Sequence, residues 1–123
     1  MTTIGVTAGQ QVKSANIAAV MQQRAGEAAG LLRTLANRNR LMLVCTLVEG
    51  EFSVGALEDR LGIHQPTLSQ QLTVLRAAGI VETRRVSKQI FYRLTGTKAA
   101  ELVGALYAIF CTDAAEPAKE DAR

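Results

Sequence analysis

Two short helix-forming stretches joined by a tight, glycine-containing turn occupy residues 53–79, and they constrain the fold more than any other part of the sequence. Ser53 is suited to start the first helix, because a serine hydroxyl accepts a hydrogen bond from a free backbone N–H there. Gly62 is suited to end it, because glycine readily adopts the left-handed conformation common after a last helical turn. Pro66 fits the first turn of a second helix, which Gly79 ends. This spacing predicts a helix-turn-helix.

The second of these helices is apolar on one side and polar on the others. Leu68, Leu72 and Leu75 recur at helical spacing and predict the buried side. Hydroxyl and amide side chains can reach base edges in the major groove without carrying a charge, although ordinary amphipathic helices carry the same residue types. The predicted DNA contacts of this helix and its first turn are Gln65, Thr67, Ser69, Gln70, Gln71 and Thr73.

Residues 80–94 are mostly β-branched, aromatic or basic, which predicts a hairpin with its tip at Ser87–Lys88. Segment 76–98 holds six basic side chains and one acidic side chain, a net charge of +5 in a chain whose total is +3. A solvated hairpin would show the same charges, but a basic hairpin after a helix-turn-helix is typical of a phosphate-binding wing. The predicted DNA contacts of the wing are Arg84, Arg85, Lys88 and Gln89.

Helices are predicted for most of the remaining chain. Residues 15–35 indicate one or two helices, and a further helix capped by Asn37 or Asn39 ends near Gly50. A last helix covers about residues 97–111, and its apolar stripe is wide enough to pack against a partner as well as its own core. We therefore expect a homodimer built from the N-terminal and final helices.

The predicted fold class is mainly α with a two-stranded β-wing, a winged helix-turn-helix with an α-helical dimer interface. The DNA-binding domain is predicted over residues 15–112. Segments 1–14 and 113–123 lack apolar periodicity and are predicted to be disordered.

The sequence shows neither a membrane span nor a secretory signal. The apolar run Leu41–Val48, with Thr46 inside it, is far shorter than the roughly 18 residues that a span needs. Met1–Gln11 lacks the basic and apolar regions of a signal peptide. We expect a cytoplasmic protein with no membrane partner.

The stretch SVGALEDRLGIHQPTLSQQLTVLRAAGIVETRRVSKQIFYRLT resembles the DNA-binding core of the ArsR/SmtB family of dimeric bacterial repressors, and the likeness extends over about residues 20–112. It implies a repressor that binds double-stranded operator DNA with an inverted repeat. Where some members of this family carry a Cys-x-Cys metal pair, this chain has Ser53 and Gly55. Other members hold metal with His, Asp and Glu side chains of the last helix, but here that helix has no histidine and Glu101 is its sole acidic residue. We expect no metal and no other cofactor.

Cys45 and Cys111 are the two cysteines of the chain, 66 positions apart. A free cysteine on an apolar face is often only a small packing residue. The sequence around both, however, resembles the sulfide-responsive branch of the ArsR/SmtB family. This resemblance implies a redox sensor in which a small reactive sulfur species, a persulfide or polysulfide, joins the two residues by a disulfide or polysulfide bridge and releases the DNA.

Three other functions are compatible with parts of the sequence. A metal-responsive repressor would use Cys45 and Cys111 together with His64, and an effector-independent DNA-binding protein would use neither thiol. A thiol enzyme is disfavoured, because the sequence has no Cys-x-x-Cys motif and one histidine. We expect a regulator and not an enzyme.

Overall fold

The computed structural model describes residues 16–112, so the predictions for segments 1–14 and 113–123 lie outside the described residues. The elements are α1 (Ile17–Met21), a 3-10 turn (Gln22–Arg24), α2 (Ala25–Leu35), α3 (Arg38–Leu47), β1 (Phe52–Ser53), α4 (Val54–Leu61), α5 (Thr67–Ala77), β2 (Val81–Val86), β3 (Gln89–Leu94) and α6 (Lys98–Phe110). The chain divides into two compact units between Arg33 and Thr34, which are described in turn.

The first unit is helical, as the sequence predicts. The Asn16 side chain accepts a hydrogen bond from the Ala19 N–H, 3.2 Å away, at the start of α1. The 3-10 turn then connects α1 to α2. Ile17, Val20 and Met21 are 47 to 65% exposed, so their apolar surface lies open in the isolated chain.

The second unit has an aliphatic core shared by four helices. Leu68, Leu72 and Leu75 of α5 are fully buried, which confirms the predicted inner side of that helix. Leu43 of α3 and Leu57 of α4 are also fully buried. Each such leucine stabilises the fold by about 1.5–3 kcal/mol through its removal from water.

Helix ends follow the local signals in the sequence. The Asn37 side chain accepts a hydrogen bond from the Arg40 N–H at 3.0 Å, and the Ser53 hydroxyl accepts one from the Ala56 N–H at 3.1 Å. Gly62 ends α4 in the left-handed conformation, with φ of 69°. These contacts confirm the predicted caps, whereas α3 ends at Leu47, three residues before the predicted stop.

The wing is an antiparallel hairpin in which β2 pairs with β3 from Val81↔Leu94 to Val86↔Gln89. Its tip lies at Ser87–Lys88 as predicted, and Ser87 has the positive φ that tight hairpin turns require. The sheet also contains a third strand, β1, which pairs with the outer side of β3. The sequence pattern predicts only the two strands of the wing. Two residues are too few to show an alternating pattern.

None of the helices within residues 16–112 has both the length and the apolar character that a bilayer span demands.

Candidate DNA-binding face and cysteine pair

The outer side of α5 presents a row of polar groups. Thr67, Ser69, Gln70 and Thr73 are all exposed, as is Gln65 just before the helix. The Ser69 hydroxyl donates to the Gln65 side-chain oxygen, and the Thr73 hydroxyl donates to the Ser69 carbonyl at 2.8 Å. The Gln70 amide makes no side-chain hydrogen bond to another described residue, so both its donor and its acceptor are available to a base edge.

Gln71 lies elsewhere than the other predicted reading residues. It is half-buried, and its side-chain oxygen accepts a hydrogen bond from Arg40 Nη1 at 2.8 Å. The Arg40–Gln71 hydrogen bond therefore joins α3 to α5. Arg40 also donates through Nε to the Thr34 carbonyl at 2.6 Å. The sequence held a signal for this placement, because Gln71 is three positions after Leu68 and therefore borders the buried stripe.

The basic residues of the wing fall into two groups. Arg85 and Lys88 are exposed and form no ion pair within residues 16–112, and Gln89 is exposed beside them. Arg84 instead makes two hydrogen bonds to the Glu51 carboxylate, of 2.9 Å from Nε and 2.6 Å from Nη2. The hydrogen bonds from Arg84 hold the pKa of Glu51 below its usual value, so this carboxylate is charged throughout the physiological range.

Cys45 and Cys111 belong to two elements that pack against each other, α3 and the end of α6. Cys45 lies in α3 between buried Val44 and Thr46, and Cys111 directly follows α6; both are half-buried free thiols. Burial raises the pKa of the Cys45 thiol, and the negative charge of a Cys111 thiolate raises it further.

His64 lies in the turn before α5, where its Nδ1 is 3.2 Å from a carboxylate oxygen of Glu58. The imidazole is largely exposed. Across the described residues, no three His, Cys, Asp or Glu side chains gather closely enough to hold a metal ion.

A helix-turn-helix followed by a basic hairpin defines a winged helix-turn-helix protein. The helix-turn-helix domain family matches residues 35–84 of this chain. The biofilm growth-associated repressor of Xylella fastidiosa is 73% identical over 92 residues, which cover 75% of this chain and 81% of that protein. The chain belongs to the ArsR/SmtB family of winged helix-turn-helix transcriptional regulators.

Two solved structures agree with this assignment. The transcriptional repressor BigR from Xylella fastidiosa superposes with a TM-score of 0.72 at 72% identity, covering 74% of this chain and 93% of that one. A homodimeric winged helix-turn-helix DNA-binding domain from Mycobacterium bovis gives a TM-score of 0.61 at 30% identity, covering 77% and 84%. The predicted fold class is confirmed.

Proposed function

We propose that this protein is a homodimeric transcriptional repressor whose binding to operator DNA is switched off when a reactive sulfur species links Cys45 to Cys111. The observation that carries the proposal is the packing of α3, which holds Cys45, against α6, which Cys111 directly follows. Its resting state is the reduced dimer, which suits the reducing cytoplasm in which bacterial operators lie.

The chemistry needs no reactant beyond an organic persulfide, RSSH. One cysteine thiolate attacks the outer sulfur of RSSH, which gives a cysteine persulfide and releases RSH. The second cysteine thiolate attacks Sγ of the first cysteine, which is the inner sulfur of that persulfide, and expels hydrosulfide. Two thiols and one RSSH thus yield a disulfide, RSH and hydrogen sulfide, while each further RSSH lengthens the bridge by one sulfur and releases another RSH. Added sulfur atoms allow a bridge across a gap wider than a disulfide tolerates.

The route from the thiols to the DNA runs through α3. Cys45 and Arg40 belong to this helix, and Arg40 is hydrogen-bonded to Gln71 of α5. A covalent link to Cys111 holds α3 at one separation from α6, and a shift of α3 moves the reading helix through the Arg40–Gln71 contact. This is a two-state packing change of the kind that regulates many oligomeric proteins.

The dimer is proposed from apolar surface that the isolated chain leaves open. The first unit exposes Ile17, Val20 and Met21, and the second exposes Ile109 and Phe110 at 69 and 72%. We propose that a second copy of the chain buries both of these apolar surfaces. The Mycobacterium bovis relative is itself homodimeric. Two-fold symmetry of the protein then calls for an operator with an inverted repeat whose half-sites are about one helical turn apart.

The switch is tested by titrating operator DNA with the reduced protein and with protein treated with an organic persulfide. The operator is obtained by selecting duplexes from a random library with the reduced wild-type protein. We expect treatment to weaken operator binding at least about tenfold, and dithiothreitol to restore it. Equal affinity before and after treatment would contradict the sulfur switch and leave the repressor assignment standing.

A second prediction concerns the reading residues. Gln70→Ala removes a free amide that faces the groove, so it should cost about 1–3 kcal/mol of operator binding in each half-site and leave binding to a shuffled duplex nearly unchanged. Ser69→Ala should show the same selectivity with a smaller loss. Lys88→Ala is the matched control, since loss of a phosphate contact weakens binding to both duplexes. Equal losses for Gln70→Ala on both duplexes would place the reading surface elsewhere.

A further inference from the structure

The Arg84–Glu51 ion pair joins the wing to the segment that enters the helix-turn-helix. Glu51 directly precedes β1, and Ser53 of β1 also caps α4. Because β1 pairs with β3, and β3 pairs with β2, the ion pair spans all three strands of the sheet. The hairpin and the start of α4 are thus joined twice, by the backbone pairing of the strands and by the Arg84–Glu51 side chains.

The Arg84 guanidinium is engaged on two sides. Its two hydrogen bonds to Glu51 have the forked geometry in which guanidinium and carboxylate fit best. Its carbon also lies 5.7 Å from the centre of the Phe91 ring, and Phe91 is the cross-strand partner of Arg84. A phosphate bound to the same edge of Arg84 would have to displace both of these hydrogen bonds.

Arg85 differs from its neighbour in direction and in partners. Side chains alternate along a strand, so Arg85 and Arg84 point to opposite faces of the hairpin. Arg85 has no acidic partner among the described residues, and the same is true of Lys88 at the hairpin tip. The third arginine of the wing, Arg93, is paired with Glu82 at 2.8 Å.

We propose that Glu51 and Arg84 are positioning residues that hold the wing at a fixed angle to the helix-turn-helix, while Arg85 and Lys88 contact the DNA phosphates. This inference rests on the proposed DNA-binding function. Arg84, which the sequence predicts to contact DNA, would then orient the residues that bind phosphate and would not bind phosphate itself.

The salt dependence of binding separates the two roles. Each phosphate contact contributes about 0.9 to the slope of log K against log salt, and a dimer makes each contact twice. Lys88→Gln and Arg85→Gln should therefore each flatten the slope by nearly two. Arg84→Gln and Glu51→Gln should weaken binding to the selected operator about fivefold and leave the slope unchanged, because they loosen the wing without removing a phosphate contact.

Three outcomes would overturn the inference. A slope flattened by nearly two in Arg84→Gln would show that Arg84 binds phosphate. Tighter binding by Glu51→Gln would show that Glu51 competes with DNA for Arg84, and unchanged affinity in both variants would show that the ion pair does not orient the wing. A wild-type protein with no salt-sensitive DNA binding would instead contradict the proposed function itself.

A charge exchange distinguishes positioning from a contribution to stability alone. Glu51→Arg combined with Arg84→Glu restores the ion pair with its two charges exchanged. The double variant should therefore bind operator more tightly than either single variant. If Arg84 contacted phosphate, the double variant would gain nothing over Arg84→Glu, because an acidic group would still face the DNA. Thermal unfolding of each variant provides the control, since a role in stability alone would lower the melting temperature without changing the affinity of the folded dimer.

Discussion

Replacing both Ile109 and Phe110 with aspartate is expected to convert the dimer to a monomer and to weaken operator binding at least about 100-fold. The two side chains are among the most exposed large apolar groups of the second unit. Two carboxylates in an apolar interface would lose their hydration without gaining partners. The monomer then binds a single half-site. In the dimer, binding of one helix-turn-helix raises the effective concentration of the other at its half-site, which commonly increases the affinity by a factor of about 100 or more.

Sedimentation velocity at micromolar concentration, combined with operator titration, checks this expectation. Val86→Asp makes the same change at an exposed apolar position of the wing and should leave the dimer intact. A wild-type protein that sediments as a stable monomer would contradict the dimer, and so would a dimeric double variant.

Cys45→Ser and Cys111→Ser are each expected to bind operator like the reduced wild-type protein and to lose the response to persulfide completely. Neither thiol lies on the reading helix or the wing, so neither substitution removes a DNA contact. A bridge needs both sulfur atoms, so one serine is enough to prevent it. The wild-type protein should lose at least about tenfold in affinity under the same treatment, which corresponds to about 1.4 kcal/mol of coupling between the thiols and the DNA site.

The two serine variants control for each other, since each retains one reactive thiol. If either variant were still released from the operator by persulfide, modification of a single cysteine would be sufficient and the bridge mechanism would be wrong. Weak operator binding by a reduced variant would show that the thiol itself supports the DNA-binding packing.

Features fixed by neighbouring residues could be predicted from the sequence. Ser53 and Gly62 mark the ends of α4 because a cap depends on a few adjacent backbone groups, and the hairpin tip at Ser87–Lys88 is equally local. The buried side of α5 also followed from spacing alone. Strand β1 could not be predicted, because it exists through its pairing with a distant strand and is too short to leave a pattern.

The roles of individual polar residues depended on partners far along the chain. Arg84 has the same local sequence context as Arg85, and its partner Glu51 is 33 positions away. The placement of Gln71 against α3 depended on Arg40, 31 positions away, although its position beside the apolar stripe gave a hint. The packing of the Cys45 helix against the helix that precedes Cys111 likewise depends on distant parts of the chain, and in the sequence a link between the two cysteines was indicated only through resemblance to the family.

Peptide mapping of the persulfide-treated dimer tests the central claim, the Cys45–Cys111 switch, most directly. Trypsin places the two cysteines in separate peptides, residues 41–60 and 99–119, so a bridge appears as one joined species after the remaining thiols are alkylated. Dimers mixed from isotopically labelled and unlabelled subunits reveal whether the bridge lies within one subunit. We expect the two peptides to be joined through two or more sulfur atoms within one subunit, in proportion to the operator released. Release of the operator without this joined species would contradict the account.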